Sequence, residues 1–175
     1  MTVLVAKTGP ASLGEKVVAY ARHRLGDVVG NGECFTLADR ALQHAGAKRA
    51  EDCMPPGAVT EEADYVWGEE VLLDEVQPGD IIQTRDYVSL VRIETPDSWH
   101  EDEQQRGHHT AIVESVGDHG SLTVLEQNVP PGQPVQRIKL YFDSGTFTEG
   151  GTTTKVSVTG QFWFYRPQPL EDEGP

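Results

Sequence analysis

Gly30-Asn31-Gly32-Glu33-Cys34-Phe35-Thr36-Leu37-Ala38-Asp39-Arg40-Ala41-Leu42 is the stretch on which the fold turns. The glycines make a flexible loop, and a helical pattern begins at the cysteine. Leu37, Ala38 and Ala41 share a face with Cys34 at helical spacing, Ala45 extends that face, and Gly46 closes the helix. The thiol thus stands at a helix N-terminus, beside N–H groups that lack an intrahelical acceptor and at the positive end of the helix dipole. Both favour the thiolate, the nucleophilic form. Glu33 acts in the opposite sense, because a neighbouring carboxylate disfavours a thiolate.

Working outward, residues 1–11 read as an extended lead-in. Ser12-Leu13-Gly14-Glu15 has the form of a capping box, and Val17, Val18, Ala21 and Leu25 follow at helical spacing, with Gly26 as the stop. Residues 50–64 are irregular and acidic around Pro55-Pro56-Gly57, and Tyr65-Val66-Trp67 supplies an aromatic anchor. Val76-Gln77-Pro78-Gly79-Asp80 is a turn signal, Ile81-Ile82-Gln83-Thr84 a buried strand, and residues 94–107 a long polar loop. From His109 onward the pattern is β. Residues 109–116 and 121–128 form a hairpin about Gly117-Asp118-His119-Gly120, with further strands at 135–142 and 155–165. Residues 168–175 make an acidic tail. Helices followed by a run of antiparallel strands predict one α+β domain over residues 12–167.

Strand parity selects a partner for the thiol. His109, Ala111 and Val113 lie on one face of their strand, and His108, Thr110 and Ile112 on the other. The first set is small and apolar, suited to pack on a helix that presents Cys34, Ala38 and Ala41, so His109 is the candidate base and His108 its neighbour. On the next strand Glu126 and Asn128 share a face, and either could orient the imidazole. This permits acyl transfer: Cys34 attacks a carbonyl carbon, His109 moves the proton, and Glu126 or Asn128 fixes the ring tautomer. The Cys34 N–H is the natural oxyanion donor, with Asn31 the candidate for a second. Trp99, an aromatic in the polar loop, is a candidate for the cleft.

Composition narrows the classes. The 175 residues suit one core. A formal net charge of −14 disfavours nucleic acid and anionic membrane surfaces and favours a basic or neutral substrate. No apolar run approaches the roughly 18 residues of a membrane span, and the N-terminal residues do not read as a signal peptide. Two cysteines, Cys34 and Cys53, make no disulfide scaffold and fit a reducing, cytoplasmic compartment. His23, His44, His100 and His119 have no ligand spacing, so neither a metal nor another cofactor is expected.

Gly32-Glu33-Cys34-Phe35-Thr36-Leu37-Ala38, Pro78-Gly79-Asp80-Ile81-Ile82, His108-His109-Thr110-Ala111-Ile112-Val113 and Glu126-Gln127-Asn128 occur in that order. In this the chain resembles the papain-like CHAP and NlpC superfamily of cysteine amidases and peptidases. The likeness is greatest to the cysteine-proteinase-fold domain of fungal myosin-tail-interacting proteins, and Gly160-Gln161-Phe162-Trp163-Phe164-Tyr165-Arg166-Pro167 adds to it. The resemblance spans roughly residues 12–167. It implies a papain-like fold with the cysteine helix packed on an antiparallel sheet, Cys34 as nucleophile, His109 as base, and Glu126 or Asn128 as third member. The expected function is a thiol-dependent hydrolase that cleaves an amide bond in a peptide or protein, as peptidase or amidase. Two alternatives stand beside it. One is a catalytically silent binding or scaffold module, since the fungal relatives are largely parts of actin-associated scaffold proteins. The other is a transglutaminase or deamidase using the same thioester chemistry.

Overall fold

A computed structural model describes residues 11–170. Most of the expected lead-in, residues 1–11, and of the expected tail, residues 168–175, lies outside these residues. Helix α1 spans Leu13–Arg22 and carries the expected capping box: the Glu15 N–H donates to Ser12 Oγ, and the Ser12 N–H donates to the Glu15 carboxylate. It ends at Arg22 with His23 as C-cap, so Gly26 is not the stop; it lies in the turn beyond. Helix α2 spans Cys34–Ala45 and closes on Gly46 in the left-handed conformation, as its sequence predicts. A short helix, α3, covers Ala50–Cys53 inside the segment expected to be irregular.

The strands are β1 (Glu69–Val71), β2 (Ile81–Glu94), β3 (Trp99–Val116), β4 (Ser121–Glu126), β5 (Gln136–Tyr141), β6 (Gly145–Glu149) and β7 (Thr152–Arg166). They form one antiparallel sheet in the order β1-β7-β2-β3-β4-β5, with β6 added on β7. Residues 94–107 are therefore not a loop. Val88–Glu94 pairs residue for residue with Trp99–Gln105, and the chain reverses at Thr95–Ser98. Most side chains on Trp99–Gln105 are exposed, so the pair shows no apolar alternation.

The half of the sheet nearest the helices is buried on both faces. One face packs against the helices: Ile81, Ile112, Leu125 and Tyr165 meet Leu37, Ala38, Ala41 and Leu42 of α2 and Val17 and Ala21 of α1. The other face curls on itself. Phe142, just past β5, contacts Phe162 and Phe164 of β7, and the three rings gather with Tyr87. Strands several places apart in the order thereby close a second core, with Ala111, Val113, Leu122 and Val124 inside it.

The turn before β2 fastens α1 to this sheet. Gly79 has φ +94° and its N–H donates to Val113 O at 2.8 Å. A Cβ there would lie 2.2 Å from the Gly14 Cα. Gly79→Ala is expected to lower stability by about 2 kcal/mol or more, since both the backbone angle and the helix contact resist a side chain. Urea denaturation at neutral pH measures it.

Candidate active site

The thiol and the imidazole come from opposite sides of the sheet. Ladder pairing between β3 and β4 begins at Ile112–Leu125, and beyond it the strands part. Cys34 opens α2, the helix packed on the other face of the sheet. Its sulfur lies near enough to the His109 side chain and to the backbone N–H groups of Thr110 and Phe35 for each of them to favour the thiolate. His109 itself lies on the curled face with Ala111 and Val113, whereas Ile112, of the other parity, packs under α2. The expectation that the His109 face lies against the helix is thus wrong.

His109 is 6% exposed. Its Nε2 lies 3.3 Å from Glu126 Oε1, at ion-pair distance but without the alignment of a hydrogen bond. This leaves Nδ1 as the ring nitrogen for the thiol. Glu126 is fully buried, and Arg106, 3% exposed, grips it as a fork: Nε donates to Oε1 at 3.0 Å and Nη2 to Oε2 at 2.9 Å. Gln136 Nε2 adds a bond to Oε2 at 3.1 Å. Arg106 escapes the sequence reading because it falls in the stretch taken for a loop. Arg106 and His109 are of opposite parity, yet both reach Glu126. The sheet is irregular here: β2 bulges against β7 between Arg85 and Val88, and Asp86 has φ 53°.

The electrostatics follow from these contacts. Burial works to raise the Cys34 pKa, but the hydrogen bond and charge of His109, with the Thr110 and Phe35 N–H groups, outweigh it and pull the thiol below its ordinary value. Burial likewise works to strip the proton from His109, yet Cys34 and Glu126 push it up to about 9. Glu126 resists its own burial through His109 and Arg106 and falls to about 2. Each direction favours a thiolate–imidazolium pair held by a carboxylate.

The other predicted residues divide. Asn128 is not at the imidazole. It has φ 71°, its Oδ1 accepts the Gly132 N–H at 2.8 Å, and its Nδ2 reaches Glu33 Oε2 at 3.5 Å, so it braces the loop after β4. Strand β4 ends at Glu126, two residues before the expected end, which takes Asn128 out of register with Glu126. Glu33 turns its carboxylate toward that amide. Asn31 lines the cleft, with Oδ1 accepting the Glu33 N–H at 3.1 Å and the Thr36 hydroxyl at 2.6 Å; only its Nδ2 is left to donate. His108 also lines the cleft, its Nε2 against Ala63 O and its ring 5.4 Å from Tyr65.

Trp99 is far away. It begins β3, ten residues before His109, about 33 Å along an extended strand, and Arg92 covers its ring at 4.0 Å. Trp99→Ala is expected to leave Cys34 alkylation by iodoacetamide within about twofold of the parent, with a stability change under about 1 kcal/mol. Gln127, which the alternation sends to the opposite face from Glu126, proves structural for the site. Its Oε1 accepts the Val29 N–H at 2.8 Å and its Nε2 donates to Val29 O and Glu33 O at 3.0 and 2.7 Å, clamping the loop that delivers Cys34.

These groups open onto a cleft of about 820 Å³ between the start of α2, the Tyr65 segment, residues 105–109 and the loop 128–131. Among the described residues no group of His, Cys, Asp and Glu could hold a metal ion, and no helix is long and apolar enough to cross a membrane.

A helix-borne thiol, an imidazole from an antiparallel sheet and a buried carboxylate behind it define an α+β domain of the cysteine proteinase fold. The family model described as the AIM3/BBC1 cysteine proteinase-fold domain matches residues 7–153, and the chain belongs to that family. No curated protein and no solved structure matches it.

Proposed function

We propose that the domain is a thiol-dependent hydrolase of papain-like, CHAP/NlpC type that cleaves an amide bond in a peptide or protein. The observation that carries this is the chain of contacts Cys34–His109–Glu126–Arg106 at the floor of an open cleft. The Cys34 thiolate adds to the carbonyl carbon, forming a C–S bond and an oxyanion that the Cys34 backbone N–H faces. As the C–N bond breaks, the His109 imidazolium gives its proton to the departing amine. Water then attacks the thioester, His109 takes its proton, and the carboxylic acid leaves with the thiol restored. Glu126 keeps the ring in place and holds the positive imidazole, and Arg106 keeps Glu126 ionised. A reducing compartment such as the cytoplasm suits the thiol.

A peptide vinyl sulfone tests the reading, because it traps a thiolate in the geometry of acyl transfer. One equivalent of adduct on Cys34, lost in Cys34→Ala and slowed in His109→Ala, is the expected result. Absence of an adduct, with a peptide still binding stoichiometrically to Cys34→Ala, would mean a silent binding module. Incorporation of an amine into a glutamine peptide would mean a transglutaminase.

A further inference from the structure

The charges around the cleft are unequal in their availability. Arg106 is committed: Nε and Nη2 hold Glu126, and Nη1 donates to Gln104 Oε1 and Gln105 O. The imidazole of His109 is balanced by Cys34 and Glu126. The charged groups left open are two exposed carboxylates on the cleft lining, Glu33 and Glu61. Glu33 has only the long contact to the Asn128 amide, and Glu61 has no cationic partner among the described residues. Phe35 and Tyr65 also line the cleft, edge to face at 4.8 Å between ring centres, with Phe35 half-buried and Tyr65 buried. Burial, then the charges of Cys34, Glu61, Glu62 and Glu33, push the Tyr65 hydroxyl upward, so these carboxylates act on the cleft wall rather than only on bulk solvent.

From this we infer that the cleft takes a polypeptide carrying lysine or arginine beside the bond to be cleaved, with Glu33 and Glu61 as the residues that select it. This rests on the hydrolase reading of the same site. A long basic side chain lays its methylene stem along the exposed part of the Phe35 ring. Its charge then meets a carboxylate with no competing cation. An acidic side chain finds two like charges and no free base.

The test uses the thiol itself as reporter. Cys34 is alkylated with 2-bromoethylammonium, iodoacetamide and iodoacetate, which are cationic, neutral and anionic. Each rate is divided by that of 2-mercaptoethanol with the same reagent at the same pH. At low salt the cation-to-anion ratio is expected to exceed unity by roughly tenfold, as for charges several ångströms apart near a protein surface, and to shrink in high salt. Glu33→Gln/Glu61→Gln is expected to lose most of that ratio. Glu70→Gln/Asp97→Asn, which removes the same charge from exposed positions outside the cleft, keeps it. A ratio near unity, or one that both double variants lower equally, overturns the assignment while leaving the hydrolase reading intact. A thiol no faster than 2-mercaptoethanol toward neutral iodoacetamide overturns the hydrolase reading and the assignment with it.

Discussion

His109→Ala is expected to lower amide hydrolysis by about 10²- to 10⁴-fold, the range for loss of a positioned general acid and base. The effect has two sources. The imidazole beside the thiol supplies the polar contact and the charge that pull its pKa down against burial. It is also the group placed to protonate the departing amine. Without it the largest influence on Cys34, burial, is left opposed only by the Thr110 and Phe35 N–H groups. Initial rates on a lysine-containing fluorogenic peptide would show the loss, and an undiminished rate would remove His109 from the mechanism. In the parent protein the alkaline limb of the rate profile falls near pH 9, where His109 loses its proton.

Glu126→Ala is expected to cost about 3–5 kcal/mol of stability, the range for breaking a buried ion pair by removing one partner. The carboxylate is fully buried and serves Arg106, Gln136 and His109 together. Its removal leaves a guanidinium that is 3% exposed with no counter-charge. Glu126→Leu/Arg106→Met, which removes both charges, is expected to recover much of the loss, because an apolar pair of similar volume avoids the desolvation cost. The pH dependence has a definite sign. Glu126 has its pKa depressed to about 2, so its contribution is present above the ordinary carboxylate value and lost as pH falls toward 2. His109 has its pKa raised to about 9, so its contribution is complete below the ordinary histidine value and lost as pH rises through 9. Urea midpoints across pH measure both.

The helices were legible because their ends carry local chemistry. Ser12 and Glu15 form a reciprocal cap, and Gly46 supplies a left-handed stop, and neither needs tertiary context. The far half of the β2–β3 hairpin was not legible. Its β3 residues are polar and largely exposed, so the period-2 signal of a half-buried strand is absent. Arg106 was hidden with that segment. The pairing of Cys34 with His109 was read from a premise the structure reverses. Parity assigns residues to two faces, but it says which face meets a helix only when the other meets water. Here both are buried, by Ile112 on one side and by Ala111 and Val113 on the other. The choice between Glu126 and Asn128 depended on where β4 ends. The turn after Glu126, with Asn128 at positive φ, decides it.

The central claim is that Cys34 is held as a thiolate by His109. It is tested most directly by the pH profile of iodoacetamide modification at Cys34 between pH 5 and 10, with Cys53 replaced by serine so that one thiol reports. A midpoint below that of an ordinary thiol, about 8.5, moving upward in His109→Ala, is the expected result. A midpoint at or above the ordinary thiol value in the parent, unchanged in His109→Ala, would contradict it.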